Sequence, residues 1–152
     1  MIRVRDLLEN DAGGFHSLTA GQTVAEAVQQ MAGYGVSALV VMDEEKKRPQ
    51  GIFTERDLVR CHTLFPDKTL DRVAIRDVMT TRLIVAEPGD TVEDAMAMMS
   101  QAKIRHLPVV SEKTVVSLVA LEDLVKSHVG ALTRELHYLK DYISDLQDAA
   151  HD

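Results

Sequence analysis

Residues 23 to 60 recur in outline 68 positions further on, so that Thr23-Val24, Ala27, Met31, Leu39 and Val41 meet Thr91-Val92, Ala95, Met99, Leu107 and Val109. A hairpin two residues shorter in the second copy then reduces the offset to 66, and Asp57-Leu58-Val59 meets Asp123-Leu124-Val125. Identity concentrated at apolar and turn-forming positions, at a fixed period, is what two copies of one supersecondary unit produce. Two such units related by a pseudo-twofold axis create two equivalent clefts. With 152 residues in all, neither half is expected to be stable alone.

Each copy reads as alternating strands and helices. Residues 1 to 9 form a short amphipathic lead-in, Asn10 to Gly14 a turn or loop, and Phe15-His16-Ser17-Leu18 a short strand. Thr23 with Glu26 three residues on is a capping box, followed by Val24, Ala27, Val28 and Met31 at helical spacing, and Gly33 and Gly35 end that helix. Val36 to Met42 is a nearly continuous apolar run, the pattern of a buried strand; Asp43 to Gln50 is a charged hairpin loop and Gly51-Ile52-Phe53 the returning strand. A helix beginning near Thr54 is expected to carry Leu58 and Val59 inward. Residues 61 to 79 connect the copies, with turns at Pro66-Asp67 and Asp71-Arg72. The second copy repeats the order: strand Leu83-Ile84-Val85, helix Thr91 to Gln101, strands Ile104 to Val110 and Val115 to Val119, and a helix after Ala120. The predicted division is residues 1–62, 63–127 and a terminal helix over 128–152.

That terminal segment differs in character. Val129, Leu132, Leu136, Leu139, Ile143 and Leu146 are spaced 3, 4, 3, 4, 3, a heptad seam, with Arg134, Glu135, Lys140, Asp141 and Asp145 largely off it. The stripe can pack on its own domain or between subunits, and Gly130 weakens its start.

Composition removes several function classes. No apolar run approaches the ~20 residues of a membrane helix, and the N-terminus lacks the apolar core of a secretory signal, which together predict a cytoplasmic protein without membrane attachment. A net charge of −7 disfavours a general nucleic-acid surface. Cys61 is the sole cysteine, which leaves no intramolecular disulfide and no thiolate cluster. The histidines at 16, 62, 106, 128, 137 and 151 have no zinc-site spacing, so no metal is predicted. There is no G-x-x-x-x-G-K-[ST] loop, G-x-S-x-G elbow or complete G-x-G-x-x-G fingerprint, and Met31, Met96, Met98 and Met99 read as core filler.

Gly51-Ile52-Phe53-Thr54-Glu55-Arg56-Asp57 is the most specific local signal: two apolar strand residues, a hydroxyl, then an Asp in the first turn of a helix. A carboxylate there can accept hydrogen bonds from the vicinal hydroxyls of a ribose, while the helix N-terminus and the hydroxyl favour phosphate. The same residues also spell a cap, in which Thr54 and Asp57 satisfy backbone N–H groups. The second copy, Ser117-Leu118-Val119-Ala120-Leu121-Glu122-Asp123, keeps the Asp but has Ala120 in place of the hydroxyl.

This stretch, with Val36 to Val41, Val78-Met79-Thr80 and Ile104-Arg105-His106-Leu107-Pro108-Val109-Val110, resembles the paired CBS domains, named after cystathionine β-synthase and also called Bateman modules. The resemblance covers about residues 5 to 127. It implies an α/β fold of two β-α-β-β-α repeats with pseudo-twofold symmetry, to which the sequence adds a C-terminal amphipathic helix. It further implies clefts that bind adenosine-containing ligands such as AMP, ADP, ATP, NAD or S-adenosylmethionine, a regulatory role and a homodimer. By the same resemblance, one cleft would use Asp57 on the ribose, Thr54 and Arg56 toward phosphate, Thr80 and Ile84 beside sugar and base, and Ile104, Arg105 and His106 at the base edge. The other would use Asp123 with Val36, Ser37 and Ala38, and its altered motif implies weaker or different binding.

The expected function is therefore a sensor of an adenine nucleotide, not an enzyme and without a required cofactor, that signals to an effector protein through conformational change. A structural dimerisation or docking module with degenerate clefts is the alternative, and a small nucleotide-processing enzyme a more distant one. On the ribose reading, Asp57→Ala is expected to abolish binding and leave the fold nearly as stable.

Overall fold

Thr23 and Thr91 each cap a helix, their hydroxyls accepting from the N–H of Glu26 and Asp94 at 3.1 Å, and from these two starts the repeats unfold in parallel. The structure, a computed structural model, describes residues 1–10, 14–45 and 48–151. The elements run α1 (Val4–Asn10), β1 (Ser17–Leu18), α2 (Val24–Tyr34), β2 (Ala38–Met42), β3 (Pro49–Thr54), α3 (Glu55–Leu64), two 3-10 turns (Leu70–Arg72 and Ile75–Asp77), α4 (Val92–Ala102), β4 (His106–Ser111), β5 (Thr114–Ala120) and α5 (Leu121–His151). β1 lies parallel to β2, which pairs antiparallel with β3; β4 and β5 form the equivalent antiparallel pair. Both hairpins carry a register shift at the same place, Val41/Met42 and Val109/Val110.

Two apolar clusters repeat the same positions. Leu18, Val24, Ala27, Met31, Leu39 and Val41 are buried in the first, and Ala86, Val92, Ala95, Met99, Leu107 and Val109 in the second. A further correspondence runs at a different offset. Val73 and Ile75 close the first cluster, through Val24 N–H to Val73 O (2.9 Å) and Ile75 N–H to Gln22 O (2.8 Å). The second is closed by the N-terminus, through Val92 N–H to Ile2 O (3.1 Å) and Val4 N–H to Asp90 O (2.8 Å). The lead-in is thus part of the second repeat's core, with Val4 fully buried.

Four local expectations are corrected. Gly33 lies within α2, and Gly35 alone ends it, at φ 67°. Val59 is 70% exposed because α3 turns Asp57 and Cys61 inward, and at 100° per residue Val59 falls on the opposite side. Leu83-Ile84-Val85 is not a strand; the pairing is a single parallel bridge from Ala86 to Val109, and Leu83 and Ile84 line a cleft instead. The helix after Ala120 and the terminal helix are one 31-residue element that passes through Gly130 without a break. Of the loop expected at Asn10 to Gly14, residues 11–13 lie outside the described residues, as do 46 and 47 of the hairpin.

Candidate functional site

The strand β3 delivers Thr54 to the N-terminus of α3, and the chain reverses there so that Asp57, one turn on, folds back over the helix start. Asp57 is 2% exposed. Its Oδ2 accepts from the Thr54 N–H at 3.0 Å and the Thr54 hydroxyl at 3.4 Å, while Oδ1 accepts from the Thr80 hydroxyl at 2.9 Å. The cap is therefore real, and it is more than a cap: Thr80 comes from the start of the second repeat. Thr80 is itself fixed by a reciprocal pair of backbone bonds to Ile52, both 2.9 Å. Such close pairing requires Gly51, since a Cβ there would sit 2.7 Å from Thr80 O. Arg60 reaches back from the next turn of α3, its Nη1 4.0 Å from Asp57 Oδ1 and its Nη2 donating to Val78 O at 2.7 Å.

Asp57 lies in the wall of a cleft of about 840 Å³ between the two repeats. Nine of the twelve residues singled out in the sequence line it: Thr54, Arg56, Asp57, Thr80, Ile84, Ile104, Arg105 and His106, which the resemblance assigns to this cleft, and Ser37, which it assigns to the other. The other three do not. Ala38 is buried in β2, Val36 packs against the first apolar cluster, and Asp123 stands exposed on the first turn of α5, its Oδ2 only 3.4 Å from the Ala120 N–H. The cleft also takes in Arg60, Arg82, Met98, Gln101 and Ala102, which sequence reasoning missed. Arg60 had a readable signal, four residues from Arg56 and so on the same helical face. Met98 both packs against the second cluster and lines the cleft, which amends its reading as filler alone.

Among the described residues, four guanidinium groups, from Arg56, Arg60, Arg82 and Arg105, line this cleft against two carboxylates, Glu55 and Asp57, a local reversal of the chain's net negative charge. Arg56 spans the cleft, donating from Nη1 to Lys103 O at 2.6 Å. Lys103 holds the left-handed C-cap of α4 at φ 58°, the position that Gly35 holds in the first repeat. Near the pseudo-twofold axis, Ser37 Oγ and His106 Nε2 are hydrogen-bonded at 2.9 Å. Burial pushes the His106 imidazole below its ordinary value; the carboxylates of Glu122, Glu55 and Asp123 oppose that shift without cancelling it. The backbone is symmetric here as well, with Glu55 N–H donating to Ser37 O (3.2 Å) and Leu121 N–H to Arg105 O (2.8 Å).

Such an arrangement can bind an anionic, hydroxyl-bearing molecule with an apolar end. Ile84, Ile104 and Met98 supply an apolar wall, Asp57 an acceptor and the arginines cations. Among the described residues no helix is long and apolar enough to cross a membrane.

Comparison with known proteins matches this geometry to one family. The CBS domain model aligns twice, to residues 4–64 and 75–130. A mitochondrial CBS domain-containing protein of Arabidopsis thaliana is 34% identical over 128 residues, covering 82% of this chain and 62% of that protein, so the chain spans about three-fifths of that relative's length. The CBS domain-containing protein YhcV of Bacillus subtilis is 32% identical over 114 residues, covering 75% of this chain and 79% of that one. Among solved structures, the CBS domain protein NE2398 superposes with a TM-score of 0.78 at 31% identity, over 84% of this chain and 97% of that one. The CBS domain pair of protein MJ0100, solved with 5′-methylthioadenosine and S-adenosyl-L-methionine, shares the fold with a TM-score of 0.74 at 23% identity, over 86% of this chain and 98% of that one. With both halves matched and the repeat-to-repeat packing in place, the chain belongs to the CBS-domain family and carries a tandem pair of its repeats.

Proposed function

We propose that this CBS pair is a regulatory sensor of an adenosine-containing ligand, bound in the cleft between the repeats and read by a partner through a change in conformation. The observation that carries the reading is the placement of a buried, preorganised carboxylate beside four guanidinium groups and an apolar wall in one cleft. The three hydrogen bonds from Thr54 and Thr80 leave Asp57 one of about four lone-pair sites, on Oδ1, for a ribose hydroxyl, and the long 3.4 Å bond from the Thr54 hydroxyl can give way to a second. Arg82 and Arg105 suit phosphate or carboxylate groups, and Ile84, Met98 and Ile104 suit a purine. The volume falls within the ~300–1,000 Å³ range of small-molecule sites. The ligands of the MJ0100 pair are adenosine derivatives, which supports the same class here.

The cleft that would use Asp123 is expected to bind more weakly, since its carboxylate is exposed and has one long hydrogen bond. A homodimer, an effector protein that reads the state, and action without chemical turnover complete the reading. Capping alone accounts for the bond from Thr54 to Asp57; it gives no reason for the arginines.

The test is thermal unfolding of nucleotide-stripped protein with AMP, ADP, ATP, NAD or S-adenosylmethionine at millimolar concentration, against guanosine counterparts. A ligand at 100 times its Kd stabilises the folded state by about 2.7 kcal/mol, several degrees in Tm. An adenosine-specific rise supports the sensor; no rise with any of them, with dimerisation intact, supports the docking module with degenerate clefts.

A further inference from the structure

We propose that α5 pairs with α5 of a second copy of this chain as a parallel, in-register, two-stranded coiled coil, with Val129, Leu136 and Ile143 at the a positions and Leu132, Leu139 and Leu146 at the d positions. This gives the homodimer of the sensing reading a specific contact, and it stands whether or not a ligand binds the cleft.

The first turns of α5 belong to the second repeat: Leu124 is fully buried, Leu121 packs on the same cluster, and His128 approaches Glu93 at 3.9 Å. From Leu132 to Ala150 every residue is exposed. The six seam residues are between 47% and 59% exposed, and Val125, one heptad before Leu132, extends the seam. A helix in a protein draws most of its stability from packing of its apolar face, and among the described residues nothing covers this one from Leu132 onward. A face this long needs an occupant.

The residues identify it. Two of the three a positions, Val129 and Ile143, are β-branched and every d from 132 onward is Leu, the combination that favours two parallel strands over three or four. In a parallel pair the g residue of one helix meets the e residue five positions on in the other. Glu135 occupies g and Lys140 e, so each copy offers the other's complement, twice by symmetry. They are too far apart in one helix to pair with each other, and among the described residues neither is in an ion pair. An antiparallel pair would set g against g and e against e, like charge near like. A membrane surface fits poorly: residues 129–151 contain four acidic against two basic side chains, and the apolar stripe is the narrow seam of a coiled coil.

The experiment uses the full chain. Leu132→Cys and Leu146→Cys, made separately, are oxidised under native conditions beside Asp141→Cys and the wild type, whose own Cys61 is buried. In a parallel register both d positions face themselves, so both variants are captured mostly as disulfide-linked dimers, while Asp141→Cys and wild type stay single. Sedimentation of the wild type gives the mass of two chains. Leu139→Asp introduced into Leu146→Cys abolishes the cross-link and lowers the helical signal at 222 nm, with little change in the melting of the repeats, because Leu139 touches nothing in its own chain's core. Capture at one d position and not the other, capture at neither in a folded protein, a mass of one, three or four chains, or a Leu139→Asp variant that cross-links as before would each overturn the proposal. Nucleotide-induced thermal shifts fail or succeed separately from every one of these readouts.

Discussion

Removing the Asp57 carboxylate tests whether it is a structural group, apart from the ligand role proposed for it. In Asp57→Ala the Thr54 N–H at the start of α3 loses its acceptor, a capping loss of about 0.5–2 kcal/mol. The Thr80 hydroxyl also loses a hydrogen bond to a buried carboxylate, about 1.5–3 kcal/mol for a charged acceptor, reduced because that hydroxyl lines the cleft and can turn to water. A net cost of about 2–4 kcal/mol follows, and at roughly 2–4 °C per kcal/mol for a chain of this size the midpoint falls by about 4–16 °C. Asp57→Asn keeps one acceptor oxygen, serves Thr54 or Thr80 but not both, and falls between. Asp123→Ala, at an exposed position, stays within about 0.5 kcal/mol of wild type. The assay is differential scanning calorimetry of nucleotide-free proteins at one pH. An Asp57→Ala midpoint within a degree of wild type would refute the reasoning, and with it the statement that Asp57 joins the two repeats. The bonds to Thr54 and Thr80 thus predict a loss of stability where the ribose reading alone expects almost none.

Gly51→Ala forces a Cβ against Thr80 O and should cost about 1–3 kcal/mol as overpacking, read as a lower urea midpoint with an unchanged m-value. Lys103→Gly relieves a left-handed residue and should stabilise by up to about 1 kcal/mol after the added chain entropy of glycine, measurable as a rise in Tm. His106 gives a pH signature. Its folded value lies below the ordinary 6.5, so above that pH it is neutral in both states, and as pH falls through 6.5 toward the folded value the unfolded chain gains the proton first and stability is lost. Between pH 7.5 and 5, wild type should therefore lose more stability than His106→Gln; parallel profiles would contradict the burial argument.

Much of this architecture was legible because the duplication repeats the core itself. Thr23 and Thr91 announce their helices by chemistry, and the apolar run from Val36 to Met42, the charged loop after it and Gly51-Ile52-Phe53 give the hairpin directly. The role of the N-terminus was hidden by arithmetic: Ile2-Arg3-Val4-Arg5-Asp6 matches Val73-Ala74-Ile75-Arg76-Asp77 at an offset of 71, outside the 68-residue register that organises the rest. Hydropathy misplaced Val59 because the inward group at that level is the charged Asp57. Leu83 and Ile84 look like a strand since a cleft wall needs the same apolar residues as a sheet. The inequality of Asp57 and Asp123 was half visible in Ala120; the burial of Asp57 depends on Thr80 reaching it from the other repeat, which spacing alone does not convey.

The central claim is that Asp57 reads the ribose of an adenosine ligand, and it is tested most directly by calorimetric titration of nucleotide-stripped protein with the best-binding adenine nucleotide and its 2′-deoxy and 3′-deoxy analogues. Loss of a hydrogen bond to a buried carboxylate, about 1.5–3 kcal/mol, predicts roughly 10- to 150-fold weaker binding of at least one analogue, and little further discrimination by Asp57→Asn. Equal affinity for all three sugars in the wild type would contradict the account.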